Sequence, residues 1–190
     1  MKKGLPGSGY SSFELIDPSR VFAELRLRKG NILFDMGCGR GQYAIAAADF
    51  VGDKGTILAT DLWKEGIVSL QGEAKVRGLV NIKAWVGDIS KRSSLATKSV
   101  DVCFMAAVLH DLVLVKKAEG ALEEAARVIK PKGLLAILEF RKVEGPPGPP
   151  LASRLSPPDV EQIAHLCGFV KKKLVEIGPY NYLMLFSLGG

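Results

Sequence analysis

Residues 32–43 read Ile-Leu-Phe-Asp-Met-Gly-Cys-Gly-Arg-Gly-Gln-Tyr. A short apolar run ends in an acid, and three glycines follow at alternate positions. That order asks for a buried strand that turns sharply into a helix. Glycine permits positive φ at such a turn and lets a ligand approach the main chain closely. The amides at the start of the next helix then face an electron-rich group. The spacing Gly37-x-Gly39-x-Gly41 differs from the dinucleotide fingerprint, which needs G-x-G-x-x-G over a pyrophosphate. Gln42 stands where the third dinucleotide glycine belongs. Asp35, two residues before the first glycine, repels a pyrophosphate and attracts an ammonium or sulfonium group. A tight turn with no ligand is the plainer alternative.

Around this turn the pattern predicts alternating strands and helices. Apolar runs mark strands over 31–34, 56–60, 82–86, 100–108 and 134–140. Helical spacing marks 42–50, 64–77 and 118–129, with Pro131-Lys132-Gly133 ending the last of these. An amphipathic segment follows Asp17-Pro18-Ser19. Another helix opens at Pro157-Pro158-Asp159 and closes at Gly168. Strands over 173–177 and 181–188 form a closing hairpin. Alternation of this kind predicts an α/β fold, a mostly parallel, doubly wound sheet with helices on both faces. The whole of 1–190 reads as one domain, with a flexible lead over 1–19 and a stiff Pro/Gly-rich loop over 141–155 as a rim beside the site.

Composition removes other classes. No apolar run reaches the ~18 residues of a membrane span, and the N-terminus lacks a signal-peptide core, so a cytoplasmic protein is expected. Cys38, Cys103 and Cys167 form no CxxC pair, and with only two histidines a Cys/His metal site is not expected. Cys38 reads as a small residue fitted to the turn, or as a reactive thiol. The net charge of +6 gathers at Lys171-Lys172-Lys173, Lys116-Lys117 and Lys130/Lys132. These clusters lack the aromatics of a single-strand platform and read as solvated surface.

Ligands of an open parallel sheet bind beyond the carboxyl ends of its strands. Asp35, Asp61 and Asp88 end three successive strands at intervals of 26 and 27 residues. Each alone reads as a helix cap. Beyond the fourth strand come Ala106-Ala107-Val108-Leu109-His110-Asp111. His110 is the best-placed general base, or else a hydrogen-bonded structural histidine. Asp111 orients it or meets substrate. Glu139 and Arg141 face substrate or are solvated rim charges.

Six blocks in order, across about residues 20–188, resemble the small class I S-adenosylmethionine-dependent methyltransferases similar to the ubiquinone/menaquinone biosynthesis group. They are Asp35 to Gly41, Ala59-Thr60-Asp61-Leu62, Gly87-Asp88-Ile89, Ala107 to Asp111, Glu124 to Leu135, and Leu166-Cys167-Gly168-Phe169. The resemblance implies a Rossmann-like sheet of seven strands in the order 3-2-1-4-5-7-6, with an antiparallel C-terminal hairpin strand. It implies S-adenosylmethionine as cofactor, S-adenosylhomocysteine as product, and in-line methyl transfer to a small-molecule acceptor. Asp61 would accept the ribose hydroxyls. Leu62 and Ile89 would flank adenine, and Gly87-Asp88 would meet its exocyclic amine. Asp35, Gly37, Cys38, Gly39, Gly41 and Tyr43 would surround the methionine part, with a carbonyl of Ala106 or Ala107. Tyr10 and Phe13 would fold over the cofactor, or simply pack on the surface. His110-Asp111 stands where many relatives have paired histidines. The Asn-Pro-Pro-Tyr motif of amino methyltransferases acting on DNA is absent. An RNA or protein acceptor, and a non-catalytic binding module, are the alternatives. A homodimer is compatible with all of them.

Overall fold

In the computed structural model, residues 12–145 and 147–189 are described. One seven-stranded sheet organises them, in the order β3-β2-β1-β4-β5-β7-β6. The strands are β1 (Ile32–Met36), β2 (Thr56–Asp61), β3 (Ile82–Val86), β4 (Val100–Ala106), β5 (Ile129–Phe140), β6 (Phe169–Ile177) and β7 (Asn181–Leu188). The first five pair in parallel, and β7 lies antiparallel between β5 and β6. The expected order and hairpin are therefore present. Helices α1 (Pro18–Leu25), α2 (Gln42–Val51) and α3 (Lys64–Val76) cover one face. On the other lie α4 (Leu109–Leu114), α5 (Ala118–Val128) and α6 (Pro157–Leu166).

Side-chain alternation assigns the faces. In β1, Leu33 joins the core under α1–α3, while Phe34 and Met36 join the core under α4–α6. Asp35 thus points to the α1–α3 side. In β5, Leu134, Ala136 and Leu138 take the first face, and Leu135 and Ile137 the second. Glu139 therefore faces α4.

Several boundaries differ from the sequence pattern. The fourth strand ends at Ala106, and Leu109–Leu114 is a separate helix that the apolar run concealed. The α5 helix ends at Val128, one residue before the expected Ile129, and β5 begins at once, five residues before the expected Leu134, because Ile129 is already extended (φ −64°, ψ 134°). β5 then carries Pro131 and Gly133 near its start, where a missing N–H is tolerated. β6 begins at Phe169, four residues before the expected position. Its lysines occupy the sheet edge, a charge placement that discourages edge pairing. From Ser12 the N-terminal lead is ordered as a 3-10 turn, Ser12–Leu15, before α1.

The β3–β4 connection contains turns only. Glu124, 5% exposed, ties it to α5 by accepting from the Ser93 N–H at 2.9 Å and Oγ at 2.6 Å, while Arg127 neutralises it at 2.7 Å. The loop after β5 is held differently from the proline stiffness expected. Arg154 is buried, and its guanidinium donates to the carbonyls of Arg141, Val143, Gly145, Pro147 and Pro149 at 2.7–3.2 Å. Its cation lies 6.0 Å from the Phe140 ring centroid. Only a planar fork of donors reaches five carbonyls at once. Arg154→Lys is expected to lower stability by about 2 kcal/mol and to open residues 141–153 to proteolysis. Denaturant unfolding and limited digestion read both effects, and a lysine variant of unchanged stability would refute the clamp.

Candidate functional site

The glycine loop is fastened to β2 before any ligand is considered. The N–H groups of Gly37 and Cys38 both donate to the Thr60 carbonyl, at 2.9 and 3.1 Å, and Gly41 N–H donates back to Cys38 O at 2.8 Å. The three glycines have φ of +82°, +55° and +78°. Their surroundings distinguish them. A Cβ at Gly37 would stand 2.5 Å from a Val108 methyl, and one at Gly41 2.3 Å from Leu70. A Cβ at Gly39 would meet nothing within 4 Å among the described residues. Two glycines are thus required by the protein's own packing, and Gly39 presents bare backbone to the cleft. The α2 helix starts directly after the loop with no side-chain cap at Gly41, and the N–H of Ala44 in its first turn is taken by Asp35. The Cys38 thiol is pushed well up by burial and by the charges of Asp35 and Asp61, so it is a poor thiolate.

Three acids stand at the strand ends as expected, in three different conditions. Asp35 is 1% exposed, and its Oδ2 is buried without a hydrogen-bond partner among the described residues. Burial, and then the Asp61 charge, raise its pKa to about 7 against the pull of an Ala44 N–H. Asp61 accepts the Gly39 N–H and the Trp63 N–H, each at 2.8 Å. It therefore braces the loop and starts α3 at the same time. Asp88 is the most solidly paired. Burial would raise it, but Lys117 at 2.6 Å and the Ser90 N–H and hydroxyl lower it to about 2.

The remaining candidates divide. Ala107 holds φ +54°, left-handed for a residue with a Cβ, and its N–H donates to Leu138 O at 2.8 Å. Such strain is maintained where structure over-determines it. Ala106 ends β4 beside it. Ile89 is buried in the core under α4–α6, whereas Leu62 is 48% exposed. A groove of about 250 Å³ runs along Phe34, Trp85, Gly87, Asp88 and Ile89 and does not reach Gly39 or Asp61. Tyr43 lies beneath the loop. Its hydroxyl bonds Ser12 Oγ at 2.8 Å, and its ring meets Phe13 and Phe104 edge-on. Phe13 is thereby seated against Tyr43, while Tyr10 lies outside the described residues.

His110 lies just beyond the end of β4, on the helix α4, and is 4% exposed. Its Nδ1 lies 2.9 Å from Glu139 Oε2, and its N–H donates to Glu139 Oε1 at 3.1 Å. Glu139 is fully buried, so of the two readings open to it the solvated rim charge does not hold. The signal was present in the sequence: a single acid inside an apolar strand must find a partner. Asp111 lies 3.7 Å from the other imidazole nitrogen; burial, with Glu139 adding, raises its carboxyl against the His110 charge. Arg154 also escaped the sequence, because five carbonyl contacts leave no pattern along the chain.

The donor set fits the group that the motif implies. An orphaned buried carboxyl oxygen, exposed glycine backbone and a second carboxylate suit an ammonium, a hydroxylated ring and a cationic sulfur.

Comparison with known proteins agrees. The family model described as "Methyltransferase domain" matches residues 34–137. A crystal structure of a SAM dependent methyltransferase from Aquifex aeolicus is 30% identical, covers 96% of this chain and 95% of that one, and superposes with a TM-score of 0.87. The ubiquinone/menaquinone biosynthesis C-methyltransferase of Bdellovibrio bacteriovorus is 33% identical over 63% of this chain and 48% of its own length. Nocamycin O-methyltransferase of Saccharothrix syringae is 30% identical over 72% and 42%. The chain thus spans about half the length of these two relatives.

The state of Asp35 predicts a pH dependence. The folded carboxyl keeps its proton up to about pH 7, whereas an ordinary one loses it near 3.8. Native protein binds more protons between those values, so this contribution is present below about pH 4 and lost as pH rises through 7. Asp35→Asn is expected to exceed wild type in stability at pH 8 by about 2–4 kcal/mol, with the gap closing at pH 4. Melting curves across that range measure it, and a pH-independent gap would contradict the assignment.

Proposed function

This chain belongs to the methyltransferase-domain family of the class I, S-adenosylmethionine-dependent fold, and from there we propose that it transfers the methyl group of S-adenosylmethionine to a small-molecule acceptor by in-line displacement, releasing S-adenosylhomocysteine. The observation that carries this reading is the meeting of Gly39, Asp35 and Asp61 at one point, with bare backbone on the ligand side and an unsatisfied carboxyl oxygen beneath.

When bound, the cofactor supplies an electrophilic methyl on a cationic sulfur. The chain's part is to hold it and to orient the nucleophile. Asp61 takes the ribose hydroxyls with the lone pairs left free by Gly39 and Trp63. Asp35 attracts the ammonium. Gly37, Cys38, Gly39 and Gly41 line the methionine part with main chain, Tyr43 supports the loop from below, and the carbonyl of Ala106 or Ala107 is a further acceptor. Gly87, Asp88 and Ile89 serve the adenine side, with Leu62 as its exposed flank. His110 and Asp111 stand toward the acceptor.

A small acceptor is supported by three facts. The relatives carry names of quinone C-methylation and nocamycin O-methylation. Among the described residues, the loop after β5 is short and is clamped by Arg154, whose charge reaches His110. Two lysines of the densest basic run are paired within the protein, Lys171 with Glu161 and Lys173 with Glu24, which argues against a nucleic-acid track. Free Cys38, Cys103 and Cys167 support a reducing, cytoplasmic setting. Among the described residues, no helix is long and apolar enough to cross a membrane. The candidate residues lie at the strand ends of one sheet and on the loops and helices that follow those strands, which supports a single methyltransferase domain.

Calorimetry with S-adenosylmethionine tests the assignment. Asp61→Ala is expected to lose ~1–3 kcal/mol of binding, and an unchanged affinity would defeat the ribose role. Gly39→Ala is expected to weaken binding by at least about tenfold, while the left-handed backbone costs only ~1–2 kcal/mol of stability. Gly41→Ala, which drives a methyl into Leu70, is expected to cost more stability than Gly39→Ala in the same unfolding assay.

A further inference from the structure

Glu139 is 0% exposed, yet it bears a carboxyl group. Both oxygens are occupied by His110 and by the adjacent backbone. The His110 N–H reaches Oε1 at 3.1 Å, Nδ1 reaches Oε2 at 2.9 Å and Oε1 at 3.1 Å, and the Phe140 N–H reaches Oε2 at 3.2 Å. Among the described residues, its ion-pair partner is His110. Burying such a group costs several kcal/mol that an apolar side chain would not. The pair therefore stabilises the fold less than a leucine in its place could, and its worth lies in what it does to the imidazole.

The geometry determines the tautomer. Both oxygens accept, so Nδ1 must donate, and in the neutral ring the lone pair lies on Nε2. That nitrogen is directed away from Glu139, 3.7 Å from Asp111 Oδ1. The α4 helix holding it begins next to Val108, whose methyl fills the space where Gly37 lacks a side chain. The residue that precedes α4 thereby packs against the glycine loop, two positions before His110. Three charged groups face it: Glu139 from β5, Asp111 from α4, and Arg154 from the clamped loop. Burial disfavours the imidazolium and Arg154 opposes it, but Glu139 and Asp111 outweigh both and raise the pKa.

We propose that Glu139 is the positioning residue for His110, fixing the Nδ1–H form so that Nε2 removes a proton from an oxygen-acid or carbon-acid acceptor as the methyl arrives. The inference rests on the methyl-transfer reading above. As Nε2 takes the proton, the acceptor's X–H bond breaks, and the pair left on X forms the X–CH₃ bond. The S–CH₃ bond breaks with its pair on sulfur, which becomes a neutral thioether. His110 then returns its proton to water. On this reading the cofactor's sulfonium lies on the Nε2 side of the ring and repels an imidazolium, so loading the cofactor also favours the neutral base.

The chain has two histidines, and His165 on α6 is exposed, so imidazole ¹⁵N NMR resolves His110 with an internal reference. The neutral His110 ring is expected to carry its proton on Nδ1. Its titration midpoint is expected to be lower by about one pH unit or more with S-adenosylmethionine than with S-adenosylhomocysteine. Both ligands share the ammonium that meets Asp35, so their difference isolates the sulfur charge. Glu139→Gln, nearly isosteric, is expected to lower the midpoint in the free protein. A proton on Nε2, or identical titration with the two ligands while calorimetry records both bound, would overturn the proposal. Failure of calorimetry to register either ligand would instead remove the reading beneath it.

Discussion

One carbonyl organises this molecule's chemistry. Thr60 O accepts from both Gly37 N–H and Cys38 N–H, so the first turn after β1 is locked to the last residues of β2. A loop of glycines would otherwise pay the largest backbone entropy of any sequence. Fixing it at the strand end points Gly39 at the cleft. It also brings Asp61, the residue after Thr60, within 2.8 Å of the Gly39 amide. The parallel register of Met36 with Thr60 makes this possible. The placement of the two acids depends on that register, because a slip of one residue in either strand would turn that strand's acid to the wrong face.

Charge burial is the second constraint. Glu124, Glu139 and Arg154 are all nearly inaccessible, and each is matched: to Arg127 and Ser93, to His110, and to five carbonyls. Asp35 is the exception, with one oxygen unsatisfied. Stability alone would select an asparagine or an apolar residue there. An uncompensated acid in the wall of a cleft is instead suited to a cation that arrives from outside. The protein thus holds strain in Asp35 and in the left-handed Ala107, while its other buried charges sit in saturated networks.

Much of this was readable from local pattern. Apolar runs and glycine stops located all seven strands, two of them, Ile82–Val86 and Asn181–Leu188, to the residue. Period-two and period-3.6 signals come from side chains adjacent in sequence, and those survive in any fold that buries one face. Pattern failed where two elements share one apolar run. The stretch 100–108 and the helix after it are both hydrophobic, so the strand was read two residues too long and α4, which carries His110, was not marked. Pattern also failed at 129–133, where proline and glycine marked the helix stop but concealed a strand that had already begun.

The sequence by itself determined the αβ alternation, the glycine turn, the acids at three strand ends and thus the class of cofactor, because each depends on neighbours within a few residues. Only the tertiary structure decided which glycine faces the ligand, that Asp35 is left unpaired, and that Glu139 answers His110 across 29 positions. These are consequences of close packing and low dielectric between distant segments. A carboxylate's meaning depends on what lies within about 4 Å of it, and no linear pattern records that distance.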